Sequence, residues 1–332
     1  MKTKRKLGQF YTTNCDYILQ GMFIPDGVSL IEPFAGHGDL IKWSQSNDWE
    51  LYDLDPKIPN TTQQDTLLNP PDYTDKYIIT NPPYLASNKT KEQTAHKKWQ
   101  QSDLYKCFIK SFIDGNALGG IIIVPLNFFS DRDTTLRKEF FTKYHIENMN
   151  IFEEAVFNDT DYTVCSIQFK RGKQTGPIRA TVYPSKKSID IDLDCSTGWR
   201  IAGHLFEKVK TDYKIGRLIE NKGHTPSTNL TLRAIDGGSM ENRIRLEAEQ
   251  EPYYGKISDR TMASITTNIP IDDEQYVADK FNEQIEQLRT KYHSLFLTNY
   301  RNSSKSYARK RISYTLAFNM IKSILKNKET NE

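Results

Sequence analysis

Short apolar runs alternate with segments of helical period through the first half of the chain. Val28–Glu32, Glu50–Leu54, Tyr77–Thr80 and Ile121–Val124 are compact runs rich in apolar positions, a pattern that predicts buried strands. Met149–Phe152 and Val164–Phe169 predict two more. Between them, Leu40–Ser46 follows a Gly-x-Gly turn and reads as a helix. Leu104–Ile113 carries apolar or aromatic side chains at 104, 105, 108, 109, 112 and 113, which is helical spacing, and Thr134–Tyr144 also reads as helical. Strand–helix alternation of this kind predicts an α/β fold, Rossmann-like, with a mostly parallel sheet covered on both faces.

The pattern breaks at Lys170–Pro177, where Lys-Arg-Gly-Lys-Gln-Thr-Gly-Pro is polar and turn-rich. This predicts a boundary, with one domain over residues 1–172 and a mixed α+β domain over 173–332. Residues 178–275 show only short β-like pieces. Helical spacing returns over Asp279–Leu297, and a last helix is predicted over Ser306–Leu325.

Composition adds constraints. With 332 residues and 37% hydrophobic positions, the chain can bury a substantial core. Its longest apolar stretch is far short of the ~20 residues a membrane span needs. The first residues, Met-Lys-Thr-Lys-Arg-Lys-Leu, lack the apolar segment of a secretory signal, so a cytoplasmic, non-secreted protein is expected. Cys15, Cys107, Cys165 and Cys195 lack metal-ligand spacing and read as reduced thiols, with no metal expected.

The formal net charge of +3 says little, but the charge is segregated. Arg301, Lys305, Arg309, Lys310, Arg311, Lys322, Lys326 and Lys328 lie between Asn299 and Lys328 without an acidic residue. Lys2, Lys4, Arg5 and Lys6 form a second cluster, and Lys89, Lys91, Lys97 and Lys98 a third. Any one cluster also describes a solvated helix face. Three of them, interleaved with Tyr300, Tyr307 and Tyr314, tilt the reading toward a phosphate backbone.

The candidate chemistry sits at predicted strand ends. Glu32 closes the first strand and is followed by Pro-Phe34-Ala-Gly36-His-Gly38, a turn whose glycines allow close backbone approach to a nucleotide-type ligand. Asp53 closes the next strand, about twenty residues on, where a carboxylate can accept from both ribose hydroxyls. Asp65 could accept from an adenine amino group, or simply cap a turn. The sharpest signal is Asn81-Pro82-Pro83-Tyr84, directly after Thr80. Two prolines fix the backbone and remove two donors, leaving carbonyls and an Asn side-chain oxygen as acceptors. Such a ledge can hold both hydrogens of an exocyclic amine and free its lone pair for attack, without a strong base. The Tyr84 ring is a candidate face for a base taken out of the helix.

These motifs, in this order, resemble the gamma class of DNA adenine-N6 methyltransferases of restriction-modification systems, which use S-adenosyl-L-methionine. The resemblance covers roughly residues 7–171. Gly8-Gln-Phe10-Tyr11-Thr12 looks like the family's N-terminal motif at the methionine end of the cofactor, and Glu32–Gly38 like its glycine-rich motif. The resemblance implies a Rossmann-like S-adenosylmethionine methyltransferase fold. Phe10, Tyr11, Thr12, Glu32, Phe34, Gly36, Gly38, Asp53 and Asp65 would then face the cofactor, and Asn81, Pro82, Pro83 and Tyr84 would be catalytic. Asp103–Ile109 and Gly119–Pro125 are similar to later family motifs. Val156-Phe157 with Tyr162–Phe169 is similar to the motif whose aromatic stacks on the target base, with Phe157 the first candidate and Tyr162 the second.

By the same resemblance, residues 173–332 would recognise double-stranded DNA. Arg301 and Lys305, just before the last predicted helix, and Arg309, Lys310 and Arg311 on it are candidate DNA contacts, while Arg233, Arg243, Arg245 and Arg260 read equally as base readers or surface arginines. The implied activity is methyl transfer to adenine N6 in a short duplex site, with base flipping, by a monomer. A separate cognate restriction endonuclease is compatible with it. Two other readings stay open: methylation of RNA adenine or of a release-factor glutamine, and a non-catalytic nucleic-acid-binding protein with a degenerate methyltransferase fold.

Overall fold

The computed structural model describes residues 8, 12–46, 48–157, 162–220, 228–237, 243–248, 251–300 and 309–331. The chain divides into two compact units. The first runs to Trp199, and the second comprises Arg200–Tyr300 and the segment from Arg309 onward. The described residues include no helix long and apolar enough to cross a membrane.

The first unit is built on one sheet. Its strands are β1 (Ser29–Glu32), β2 (Trp49–Asp53), β3 (Thr61–Gln63), β4 (Lys76–Thr80), β5 (Gly119–Pro125), β6 (Tyr144–Phe152), β7 (Val164–Arg171), β8 (Ile178–Tyr183) and β9 (Lys187–Ile191). They lie in the order β3-β2-β1-β4-β5-β7-β6-β8-β9. The run from β3 to β5 is parallel. β7 enters antiparallel between β5 and β6. Because β1 has β2 on one side and β4 on the other, the chain reverses direction across the sheet there, and crevices form at such a point outside the strand ends. The α/β architecture with a mostly parallel sheet is the one the alternating pattern predicts.

Burial explains which runs become central strands. Every residue of β5 is buried, as are the last four of β4, so these strands need apolar side chains on both faces. Helices α1 (Cys15–Ile18), α2 (Asp39–Ser44), α3 (Thr94–Trp99), α4 (Leu104–Asp114) and α5 (Thr135–Lys143) connect them. Phe112 of α4 packs with Phe108 of the same helix and with Phe140, Tyr144 and Phe169, with ring centroids in this cluster 5.2–6.4 Å apart and mostly tilted or edge-on. Each such fully buried ring contributes about 1.5–3 kcal/mol by leaving water.

The predicted boundary falls inside this unit. Residues 172–177 form a turn between β7 and β8, and β8 pairs with β6 in the same sheet. The polar texture there reflects an exposed turn at a sheet end, so the first compact unit runs on to Trp199. A two-residue strand, β10 (Leu193–Asp194), follows β9, and β11 (Arg200–Ile201) opens the second unit.

The second unit has a small antiparallel sheet of β12 (Gly216–Arg217), β13 (Thr231–Arg233), β14 (Arg245–Glu247) and β15 (Met262–Thr266), in the order β12-β15-β13-β14. Helix α6 (Glu274–Tyr292) starts earlier than the periodicity predicts. The Asp273 carboxylate caps it by accepting from Tyr276 N at 2.9 Å, and His293 ends it in a left-handed conformation. The last predicted helix is shorter at its start. Arg309–Arg311 is a strand, β17, paired with β16 (Thr298–Tyr300), and α7 runs from Tyr314 to Asn331. Ile312 is buried just before α7, and Ser313 Oγ accepts from Leu316 N, which sets the helix start at this hydroxyl.

Candidate active site at the strand ends

Three parallel strands bring Glu32, Asp53 and Thr80–Asn81 to one edge of the sheet, because β1, β2 and β4 are neighbours in register. Glu32 is 1% exposed. Its Oε1 accepts from Phe34 N at 3.0 Å and from the Thr80 hydroxyl, while Oε2 accepts no hydrogen bond among the described residues. Burial pushes its carboxyl up to about 8, against the lowering effect of those two donors, with the Asp53 carboxylate adding to the rise. The β1–α2 turn needs positive φ at Gly36 and Gly38, 51° and 76°. Asp53 is tied into that turn. Oδ2 accepts from Gly36 N and Oδ1 from Asp55 N, both at 2.8 Å.

Asp65 behaves as a cap. Its Oδ1 accepts from Leu67 N and Leu68 N at 3.0 and 3.1 Å, so one oxygen organises the following turn. Phe34 is half-buried, edge-on to Phe108 at 5.2 Å. Leu54, which the sequence did not single out, is 51% exposed directly after Asp53. Its position, an apolar residue directly after the strand-end carboxylate Asp53, is the signal that could have marked it.

Asn81 is half-buried at the end of β4. Its Nδ2 lies 3.0 Å from Thr12 Oγ1, and its Oδ1 lies 2.5 Å from the Tyr84 hydroxyl. That hydroxyl is also 2.8 Å from the carbonyl of Ile123 on β5. One proton serves one of these two acceptors at a time. Pro82 is buried and Pro83 half-buried. The Tyr84 backbone N–H donates to Gly8 O at 2.9 Å.

The structure places two expected base-stacking residues inward. Tyr84 is 2% exposed, edge-on to Tyr105 and Tyr162 at 6.1 and 5.6 Å, and burial raises its pKa well above the ordinary phenol value. Its buried hydroxyl needs partners, and Ile123 O and Asn81 supply them, so the ring packs into the wall instead of facing solvent. Phe157 is 4% exposed. Tyr162 is half-buried, against Tyr84 on one side, with Lys89 Nζ over its ring at 5.5 Å. Asp103, also buried, accepts from Leu85 N at 3.0 Å and pins the segment that follows Tyr84.

The expected DNA contacts are placed differently. Arg309, Lys310 and Arg311 lie on β17 instead of a helix, since their backbones pair with β16. Lys310 is 8% exposed, and Arg309 Nε donates to Asp236 O at 2.8 Å. Arg243 pairs with Glu286 at 2.8 Å and Arg245 pairs with Glu247, with Arg233 3.8 Å from the same Glu247. Arg260 is exposed. Phe10, Tyr11, Arg301 and Lys305 lie outside the described residues.

Comparisons with known proteins find matches to part of the chain. Residues 72–157, which include Asn81–Tyr84, match the family described as Eco57I restriction-modification methylase. No curated protein matches the chain. Among solved structures, the chain is similar to a type I restriction enzyme modification subunit from Vibrio vulnificus YJ016, at 14% identity and TM-score 0.43 over 58% of each chain. It is similar to the methyltransferase subunit of the type I restriction-modification system from Streptococcus thermophilus, at 14% identity and TM-score 0.39, over 57% of this chain and 50% of that one. A third is the DrdV–DNA complex, at 15% identity and TM-score 0.42, over 70% of this chain and 36% of that one. The chain therefore spans from about a third to somewhat over half of these proteins. Over residues 72–157 its sequence is similar to restriction-modification methylases.

Proposed function

We propose that this chain is a site-specific DNA methyltransferase that transfers a methyl group to the N6 amino group of adenine, using S-adenosyl-L-methionine, with the target base flipped out of the duplex. The observation that carries the reading is Asn81-Pro82-Pro83 at the end of β4, one residue from a Thr80 that is bonded to the buried Glu32. When bound, the cofactor supplies an activated methyl group. The residues present fit it. The Oε2 of Glu32 accepts nothing from the described residues, which suits a cationic amino group, and Asp53 and Leu54 offer an acceptor and an apolar surface at the next strand end.

The chain's own residues then do the following. Asn81 Oδ1 and the Pro82 carbonyl accept the two hydrogens of the target amine and draw its lone pair out of conjugation with the ring. Pro82 and Pro83 hold the two acceptors still, so little reorganisation is needed at the moment of transfer. Tyr162, half-buried at the outer side of Tyr84, is the aromatic against which the flipped base would lie, in place of Phe157. The positive Lys89, Lys91 and Lys97 near this ledge in sequence are all exposed and suit a phosphate backbone.

The test is transfer of tritium from labelled S-adenosylmethionine to unmethylated duplex DNA, followed by nucleoside analysis. Label in N6-methyladenine at a saturating, sequence-limited level is the expected result. Label in RNA or in release factor, with none in DNA, would overturn it.

A further inference from the structure

Gly8 and Thr12 brace the proposed catalytic ledge, Asn81–Tyr84. Two observations independent of each other show this. The Gly8 carbonyl accepts from the Tyr84 N–H, and Gly8 sits so close that a Cβ there would lie 2.7 Å from Tyr84 O, at a φ of +69°. Thr12, 4% exposed, puts its hydroxyl 3.0 Å from Asn81 Nδ2.

Thr12 is itself held. The Cys15 thiol donates to Thr12 O at 2.9 Å, from the first turn of α1. The end of α1 and the chain beyond it are fastened to the sheet by polar side chains. Ser166 Oγ donates to Ile18 O at 2.6 Å, and Asn150 Nδ2 donates to Gln20 O at 2.9 Å. Gln168 Nε2 donates to Phe23 O at 3.0 Å. A rigid path thus runs from β6 and β7 through α1 to the Asn81 amide.

Resting on the proposed adenine methylation, we infer that Thr12 is a positioning residue: its hydroxyl, with that of Tyr84, fixes the plane of the Asn81 amide against rotation. Rotation matters because an amide presents an acceptor on one edge and donors on the other. Turned over, Asn81 would face the hydrogens of a target amine with hydrogens of its own. The resemblance to the methyltransferase family places Thr12 at the cofactor instead, and the two roles separate by measurement.

The variant is Thr12→Val, which keeps the shape and removes the hydroxyl, compared with Thr12→Ser in the full chain. The single-turnover rate of methyl transfer to duplex DNA should fall about 10- to 100-fold in Thr12→Val, as misplacement of a reacting group does. The calorimetric Kd for S-adenosylmethionine should change less than about twofold, and Thr12→Ser should recover most of the rate. A second readout needs no substrate: in protein labelled with 15N at asparagine, the Asn81 side-chain amide protons, identified by their loss in Asn81→Asp, should exchange with water faster in Thr12→Val. A weakened cofactor Kd with an unchanged rate, or unchanged amide exchange, would overturn the inference. Unchanged exchange counts against Thr12 alone, whereas a wild-type chain that methylates no DNA counts against the proposed function.

Discussion

At the scale of single residues, the site sets an acid–base problem at Glu32 and a geometric one at Asn81. Removal of the Asn81 side chain should lower transfer on the order of 10²–10³-fold, as loss of one preorganised group does, and leave cofactor affinity nearly intact. Asn81→Ala assayed for single-turnover transfer and for cofactor binding checks this. Glu32 has a folded pKa of about 8 against an ordinary 4.5. A carboxyl raised on folding contributes stability that is complete below about 4.5 and is lost as pH rises through about 8. The melting temperature without cofactor should therefore fall between about pH 4.5 and about pH 8, and fall less in Glu32→Gln. An ammonium group binds the ionised form, so cofactor affinity should rise over the same range. Glu32→Gln should flatten that rise and cost about 1.5–3 kcal/mol of binding at the alkaline end, read by calorimetry across pH.

At the scale of elements, caps and buried ion pairs decide where helices start and what the second unit tolerates. Asp273 satisfies the first turn of α6, and Asp273→Ala should cost about 1 kcal/mol in urea unfolding of that unit. The Arg289 and Asp236 pair, 2.6 Å apart and largely buried, is more demanding. Asp236→Ala leaves the buried Arg289 guanidinium with the half-exposed Glu286 carboxylate, 3.2 Å away, as its acidic partner and should cost about 3 kcal/mol, while replacing both Asp236 and Arg289 with apolar residues should recover most of that. The same unfolding curves compare the single and double variants. These elements also show where periodicity reads well. The apolar spacing of 104–113 specifies α4 almost to the residue, because one face must meet the sheet. The basic run 309–311 carries no such pattern, and strand pairing with Thr298–Tyr300 claims it.

At the scale of the whole molecule, the proposed function asks how the chain would meet DNA. Arg309 and Lys310, among the candidates from sequence, pair through their backbones with β16, Arg309 Nε donates to Asp236 O, and Lys310 is buried. Lys89, Lys91 and Lys97 are exposed and follow Asn81–Tyr84 closely in sequence. If they meet phosphates, replacing all three by Gln should reduce the slope of log K for DNA against log salt by up to about 2.7, roughly 0.9 for each contact. Filter binding or fluorescence anisotropy over a salt series measures it. An unchanged slope would move the phosphate contacts elsewhere.

The chain by itself determined the α/β layout of its first half and the strand ends at which Glu32, Asp53 and Asn81 lie. Glu32, Asp53 and Asn81 each directly end an apolar run, and a side chain at the end of a parallel strand has only one edge of the sheet to occupy. Tertiary structure decided what surrounds them. Thr12 meets Asn81 across 69 positions, and Ile123 meets Tyr84 across 39, so no local pattern announces either contact. Those contacts turned Tyr84 inward, because a buried phenol must find hydrogen-bond partners. They left Tyr162 as the partly open ring beside it. The sheet likewise continues through β8 and β9 past a polar turn, since pairing with β6 satisfies backbone groups that composition alone cannot report.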